Sequence, residues 1–199
     1  MIAVAAAGAC TLVDIDVACN ATAATYDDDR RAGAVNAWGN SLPAEEVPFG
    51  RVVDVDGVPF RLPAKRGRHD HVEAVGQTLP LPSAAPVAGL ALLCFGEMGE
   101  QDVALMLLDA AGAAAHLVAD VPGWLAAAPE GRPDLAVALR CTHLHYPGGY
   151  ELAALRPTVT RWTGRLSRPV EATGLRLGIN PLFHVLAVTL LHEGVRDAA

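Results

Sequence analysis

Residues 51–63 read RVVDVDGVPFRLP, and this stretch decides the fold class. Two short strand-forming runs flank Asp56-Gly57, a dipeptide that accepts the positive φ angles of a type I′ turn and so closes a two-residue hairpin. Pro59 has no N–H for a ladder, so the second strand is expected at an edge or with that nitrogen turned outward. Working outward, similar runs recur at Val72–Val75, Gly89–Phe95, Val103–Leu108, Ala114–Val118, Leu135–Tyr146, Glu151–Leu155, Gly174–Leu177 and His184–Leu191. The last is continuously apolar, which predicts a strand covered on both faces. DVALMLLD (102–109) and AAAHLVAD (113–120) are rich in helix formers, yet the Ala111-Gly112 step between them reads as a hairpin turn. Tyr26–Gly50 and Trp124–Pro133 read as irregular loops, and connections of such length tend to be functional or disordered.

About eight to ten short strands without helical periods predict an all-β protein, an antiparallel β-sandwich or jelly roll with long irregular loops and little helix. No repeat or low-complexity linker divides the chain, so residues 1–199 are expected to form one domain. The 52% apolar content supplies a core. A formal charge of −7 excludes the net basic surface that nucleic acid requires. No apolar stretch reaches the roughly 18–20 residues that span a bilayer. The apolar start lacks a basic region and soon meets Asp14 and Asp16, unlike a signal peptide, so a cytoplasmic protein is expected. Cys10, Cys19, Cys94 and Cys141 are widely spaced without a CxxC pair, which predicts reduced thiols.

Several ordered segments carry a family resemblance: DIDVACN (14–20), SLPAEEVP (41–48), GVPFRLP (57–63), VGQTLPL (75–81) and NPLFHVLAVTL (180–190). With these the chain resembles the β-sandwich accessory domains, in the style of galactose-binding jelly rolls, that accompany many bacterial glycoside hydrolases. The resemblance implies a jelly roll whose surface loops hold a sugar or another polar small molecule. Members of that group are usually secreted and fused to catalytic domains. Where they tend to have an Asn-rich loop, this chain has Tyr26-Asp27-Asp28-Asp29-Arg30-Arg31.

Three constellations can carry chemistry. The first is TYDDDRR, residues 25–31, where neighbouring carboxylates disfavour one another's ionisation and adjacent guanidinium groups favour it. Asp28 or Asp29 can serve as a base while Arg30 or Arg31 grips an anionic leaving group. The second is Glu45-Glu46 beside Trp38 and Asn40, groups suited to hydroxyls and to stacking on a sugar; either Glu can instead accept backbone N–H groups and pin its loop. The third is the pair of HxH motifs, His69-Asp70-His71 and His143-Leu144-His145. In a strand, residues two apart share a face, close enough to ligate one ion. The spacing to Glu151 is longer than a cupin metal motif allows, and Tyr146 and Tyr150 flank the turn that follows. No metal is assigned on this basis. His116, His184 and His192 stand alone among apolar residues and read as core or edge positions. Nucleotide-binding glycine loops and a GxSxG elbow are absent, so no organic cofactor is implied.

The first reading is therefore a cytosolic, lectin-like binder of a sugar or similar polar small molecule, contacted by Trp38, Asn40, Glu45, His143, His145 and Tyr146. The alternative is an enzyme or enzyme subunit of bacterial natural-product biosynthesis. It would close a ring, as in aziridine formation, or eliminate with loss of an anionic leaving group, using Asp28, Asp29 and Arg30. A third is a partner subunit of a heteromeric complex, which the high apolar fraction suggests. Whether the Asp27–Asp29 loop meets the His143–His145 segment discriminates best between binder and enzyme.

Overall fold

The computed structural model describes residues 10–65, 69–82, 85–126, 130–148 and 155–194. In chain order the strands are β1 (Cys10–Val13), β2 (Ala24–Thr25), β3 (Leu42–Pro43), β4 (Val52–Val55), β5 (Val58–Arg61), β6 (Val72–Val75) and β7 (Thr78–Pro80). There follow β8 (Val87–Gly96), β9 (Gln101–Asp109), β10 (Gly112–Val121), β11 (Leu135–Arg140), β12 (Thr158–Val170), β13 (Gly174–Leu177) and β14 (Ile179–Leu191). Among the described residues the helical structure is one 3-10 turn, Asp16–Ala18, and no helix is long and apolar enough to cross a membrane. The protein is an all-β sandwich, as expected.

The larger sheet runs β1-β14-β8-β12-β11, with β6 also paired to β14. The smaller runs β10-β9-β13-β7. Every pairing in both is antiparallel. Between them lies an apolar core that takes Leu90, Leu92 and Cys94 from β8, Val185, Val188 and Leu190 from β14, and Val103, Leu105 and Leu107 from β9. The opposite face of the larger sheet is also covered. Ala91, Leu93 and Phe95 of β8, with Leu186, Ala187 and Leu191 of β14, pack there under Phe60, Leu42, Trp124 and Leu144. Period-2 alternation thus sends successive residues of β8 into two different cores, which is why the run from Leu90 to Phe95 has no polar gap.

The 51–63 hairpin forms as expected. Asp56 and Gly57 have φ of 50° and 79°, the Asp54 carboxylate accepts the Gly57 N–H at 2.9 Å, and Pro59 lies opposite Asp54. In a two-residue hairpin the closing pair, here Val55 and Val58, exchanges hydrogen bonds and the next pair does not, so Pro59 costs the ladder nothing. β9 and β10 form the second hairpin, and Asp109 caps its turn by accepting the N–H groups of Ala111 and Gly112.

Two expectations are corrected and one strand stands where none was expected. The strand expected over 135–146 ends at Arg140, and Cys141–Tyr146 run on as irregular chain. The long strand β12 gave no sequence signal, because Arg161, Gly164, Arg165, Arg168 and Pro169 interrupt its apolar pattern; Arg161 is nonetheless buried, its guanidinium 3.7 Å from the Asp56 carboxylate of the hairpin turn. His116 is solvent-exposed on β10 rather than held among apolar neighbours. Glu151–Ala154 and Tyr150 lie outside the described residues, and with them most of the strand expected over 151–155. All four cysteines are free thiols.

Candidate functional site

The outer face of the larger sheet is covered mostly by irregular chain, and that layer holds the buried polar residues. β2 and β3 pair in parallel, and Ser41, just before β3, exchanges two backbone hydrogen bonds of 3.1 Å with His145. This fixes the 142–146 segment beside Thr25. The Thr25 hydroxyl lies 3.1 Å from His145 Nδ1 and 2.6 Å from the Ser41 hydroxyl, and all three residues are buried. Two residues beyond Thr25, Asp27 reaches the far side of the same ring: its Oδ1 lies 3.1 Å from His145 Nε2. The contact is out of line for a hydrogen bond, but Arg30 Nη2 donates to the same oxygen at 2.7 Å.

The acidic loop and the second HxH motif therefore converge, and the converging carboxylate is Asp27. Asp28 and Asp29, with Asp27, line an open groove of about 260 Å³ whose other walls are Arg30, Arg31, Pro147 and Gly148. Arg31 donates its Nε–H to the Pro147 carbonyl at 3.1 Å, lacing the loop to the far wall. His143 is half-buried, its ring centroid 5.0 Å from that of His145. Its Nδ1 lies 2.9 Å from the Thr142 hydroxyl and 3.3 Å from Glu46 Oε1.

Electrostatics set the protonation states here. The Arg30 hydrogen bond, with the positive charge of Arg30, holds the Asp27 carboxyl below the ordinary range. Burial lowers the His145 pKa, and Arg30 and His143 lower it further against the opposing pull of Asp27 and Glu45. At neutral pH the pair is a carboxylate beside a neutral imidazole.

The remaining candidates frame this cluster. The Glu45 carboxylate accepts the Asp27 N–H at 2.9 Å, and Glu46 accepts the Thr142 N–H at 2.7 Å and the Thr142 hydroxyl, so both pin loops. Asn40 is buried, its N–H donating to Asn36 Oδ1. Trp38 is 64% exposed, one residue from Gly39, whose φ of 79° is a glycine conformation and where a Cβ would come within 2.8 Å of the Pro147 ring. Tyr146 packs against the outer core.

The first HxH motif is not a face-sharing pair, because its residues lie in irregular chain: His69 is exposed while Asp70 and His71 are buried. Asp70 accepts the N–H groups of Ala23 (2.8 Å) and Ala24 (3.1 Å), Lys65 Nζ (2.6 Å) and His71 Nδ1 (3.0 Å). His71 Nε2 meets His184 Nδ1 at 2.9 Å, and the His184 ring stacks on Phe95. Burial works against ionising Asp70, but the hydrogen bonds and charges of His71 and Lys65 outweigh it and hold the carboxyl low. Burial pushes His184 down to about 3, with His71 adding to the shift. His192 bonds to Thr11 and to the Pro86 carbonyl, an edge position as expected.

With the sandwich and this loop layer in view, the relationship is decided by one match: the family described as the AziU2-like beta-sandwich domain covers residues 10–194. The chain belongs to that family. Its description supports the sandwich and says nothing of glycoside hydrolase accessory domains. No curated protein matches the chain. The AziU2-like match spans both the TYDDDRR loop and the His143–His145 segment, so the polar cluster lies within the matched unit.

Sequence reasoning singled out Asp28, Asp29 and Arg30 and passed over Asp27, Thr25 and Ser41. A usable signal was present: in an extended chain Thr25 and Asp27 share a face, so whatever one touches the other can reach. Asp70 and His184 had no such signal, because the Ala23 and Ala24 N–H groups and His71 that they bind lie about 46 to 113 residues away in sequence.

Proposed function

We propose that the protein is a cytoplasmic enzyme, or enzyme subunit, of small-molecule biosynthesis, working at the groove between residues 27–31 and Pro147–Gly148. The reaction class is ring closure by displacement, of the aziridine-forming type. A substrate amine attacks a neighbouring carbon, an N–C bond forms, and the C–O bond to an anionic leaving group breaks with its electron pair. The ammonium proton passes to the Asp28 or Asp29 carboxylate, while Arg31, beside Arg30, gathers the charge on the departing anion. One observation carries this reading. The charged loop and the histidine segment meet, with Asp27 Oδ1 3.1 Å from His145 Nε2 and Arg31 tied to Pro147, so the carboxylates and guanidinium groups that line the groove stand against the buried His145 imidazole. The test is a panel of vicinal amino-alcohol sulfate and phosphate esters, with released inorganic anion measured by ion chromatography. Release by the wild type, lost in Asp28→Asn and Asp29→Asn variants that keep the native circular dichroism, supports the reading. Release untouched in both variants removes these carboxylates from it.

A second reading, recognition of a sugar without turnover, is favoured by Trp38, whose indole stands exposed at the rim of the loop that packs on Pro147. Glycan-array binding that disappears in Trp38→Ala, with no anion released from any ester, would put this reading first.

A further inference from the structure

We propose that Asp27, His143 and His145 form a binding site for a divalent transition metal of the zinc type, set in the wall of the groove. The inference rests on the reading of that groove as the functional site. The candidate ligand atoms of the three residues all lie within 4.8 Å of one another. Metal–ligand bonds to imidazole and carboxylate are about 2.0–2.2 Å long, so a small inward movement of the exposed Asp27 side chain closes the set on one ion.

The stronger argument is how the rings are held. His145 has its Nδ1 on the Thr25 hydroxyl, and His143 has its Nδ1 beside the Thr142 hydroxyl and Glu46. His145 is thus gripped by Nδ1 with its Nε2 turned to the Asp27 carboxylate, and the Nδ1 of His143 is held from behind in the same way. Metal-binding histidines are oriented in this way, with a carboxylate or hydroxyl behind the ring fixing tautomer and direction. His145 Nε2 is a fully buried polar atom that makes no hydrogen bond and faces the Asp27 carboxylate. Arg30 occupies Asp27 Oδ1, so Oδ2 is the ligating oxygen in this assignment. Charge agrees: Asp27, Glu45 and Glu46 bring three carboxylates to the cluster against Arg30.

Two imidazoles with one carboxylate suit zinc, cobalt or iron and disfavour calcium and magnesium, which prefer oxygen ligands throughout. Three protein ligands leave a coordination position for water or for an anionic oxygen of the substrate. The metal would share with Arg31 the charge of the leaving group. His71, Glu73 and His184 also come within ligating range, but His71 and His184 already spend their facing nitrogens on each other, so that buried group is structural.

The test uses the full chain, tag removed, stripped with chelator and dialysed, and titrated with Zn²⁺ and Co²⁺ alone by calorimetry, native mass spectrometry and visible absorption. One ion per chain and Co²⁺ d–d bands are expected. His143→Ala and His145→Ala should abolish stoichiometric binding, and Glu46→Gln should weaken it by about 10–100-fold. In the unmodified protein, ¹⁵N NMR should show Zn²⁺ shifting the Nε2 resonances of His143 and His145 and sparing those of His71 and His184, a readout that needs no variant to fold. Absence of stoichiometric binding, or binding that leaves those two resonances in place, overturns the site. No substrate enters this test, so its failure leaves the carboxylate and arginine assignments standing, and loss of those assignments leaves the metal site standing.

Discussion

The two faces of the larger sheet are built from the same strands and differ in kind. Toward the smaller sheet, β8 and β14 present Leu90, Leu92, Cys94, Val185, Val188 and Leu190 to a buried cluster of apolar residues. On the other face the cover is irregular chain, and buried Thr25, Ser41, Asp70, His71, His145 and His184 lie in or under it. The reason lies in the backbone. A sheet satisfies its own N–H and C=O groups, whereas an irregular layer cannot, and each buried backbone donor needs a partner. Here Asp70 supplies it for the buried N–H groups of Ala23 and Ala24, and side chains brace more exposed loop N–H groups as well: Glu45 for Asp27, Glu46 for Thr142, Asn36 for Trp38 and Asn40, and Asp16 for Ala64. Polar groups that brace loops bring charge indoors, and charge held in a fixed place is what a reactive or binding site requires.

The largest effect that separates the faces is expected from Lys65→Met. It removes the ammonium that neutralises the Asp70 carboxylate, itself fully buried, leaving the Ala23, Ala24 and His71 hydrogen bonds, and removing one partner of a buried pair costs about 3–5 kcal/mol. Urea unfolding measures it, and a loss below 1 kcal/mol would mean that water reaches Asp70. On the inner face, Leu92→Ala is expected to cost about 2–5 kcal/mol as a cavity, while the ¹⁵N shifts of His143 and His145 stay in place. Movement of those shifts would show that the two faces are mechanically coupled.

Acid sharpens the contrast further. His184 titrates at about 3 in the folded protein against 6.5 as an ordinary histidine. As pH falls through 6.5 the unfolded chain therefore takes up a proton that the folded one refuses, and stability falls by up to about 1.4 kcal/mol per pH unit. Asp70 acts in the same direction at lower pH, because its depressed folded pKa gives stability that is present above its ordinary value and lost as pH falls through the folded one. Both groups belong to the outer layer, with His71 and Lys65 against them. His184→Leu should flatten the profile between pH 6.5 and 5, and an unchanged slope would assign the acid sensitivity elsewhere. Smaller still is Gly57→Ala, about 1–2 kcal/mol from a side chain forced to a φ of 79°. Trp38→Ala, exposed and outside both cores, should stay within about 0.5 kcal/mol.

Legibility follows the same division. The Asp56-Gly57 hairpin, the β9–β10 hairpin and the apolar run of β14 can be read from the chain, because turn chemistry and alternation are local. β12 escaped, since its buried Arg161 finds an ion-pair partner in the hairpin turn about a hundred residues away, which no local rule sees. The TYDDDRR loop and the His143–His145 pair were readable as chemistry. Their meeting, and the choice of Asp27 over Asp28 and Asp29, depends on the Ser41–His145 bridge. Asp70 and His71 were readable as part of an HxH motif, but their links to Lys65 and His184 were hidden for the same reason until the fold stacks them.

The place of β14 bears on how the protein is made. It binds β1, β6 and β8 at once, yet among the described residues it comes after all of them in chain order. Until Leu191 has been synthesised, β8 lacks one neighbour and Cys10–Val13 has none within the sheet. At about 5–20 residues per second, the nascent chain spends several seconds with apolar strands in search of a partner. Chains stalled short of β14 are expected to leave the β8 edge and the β1 segment unpaired, a form prone to aggregation.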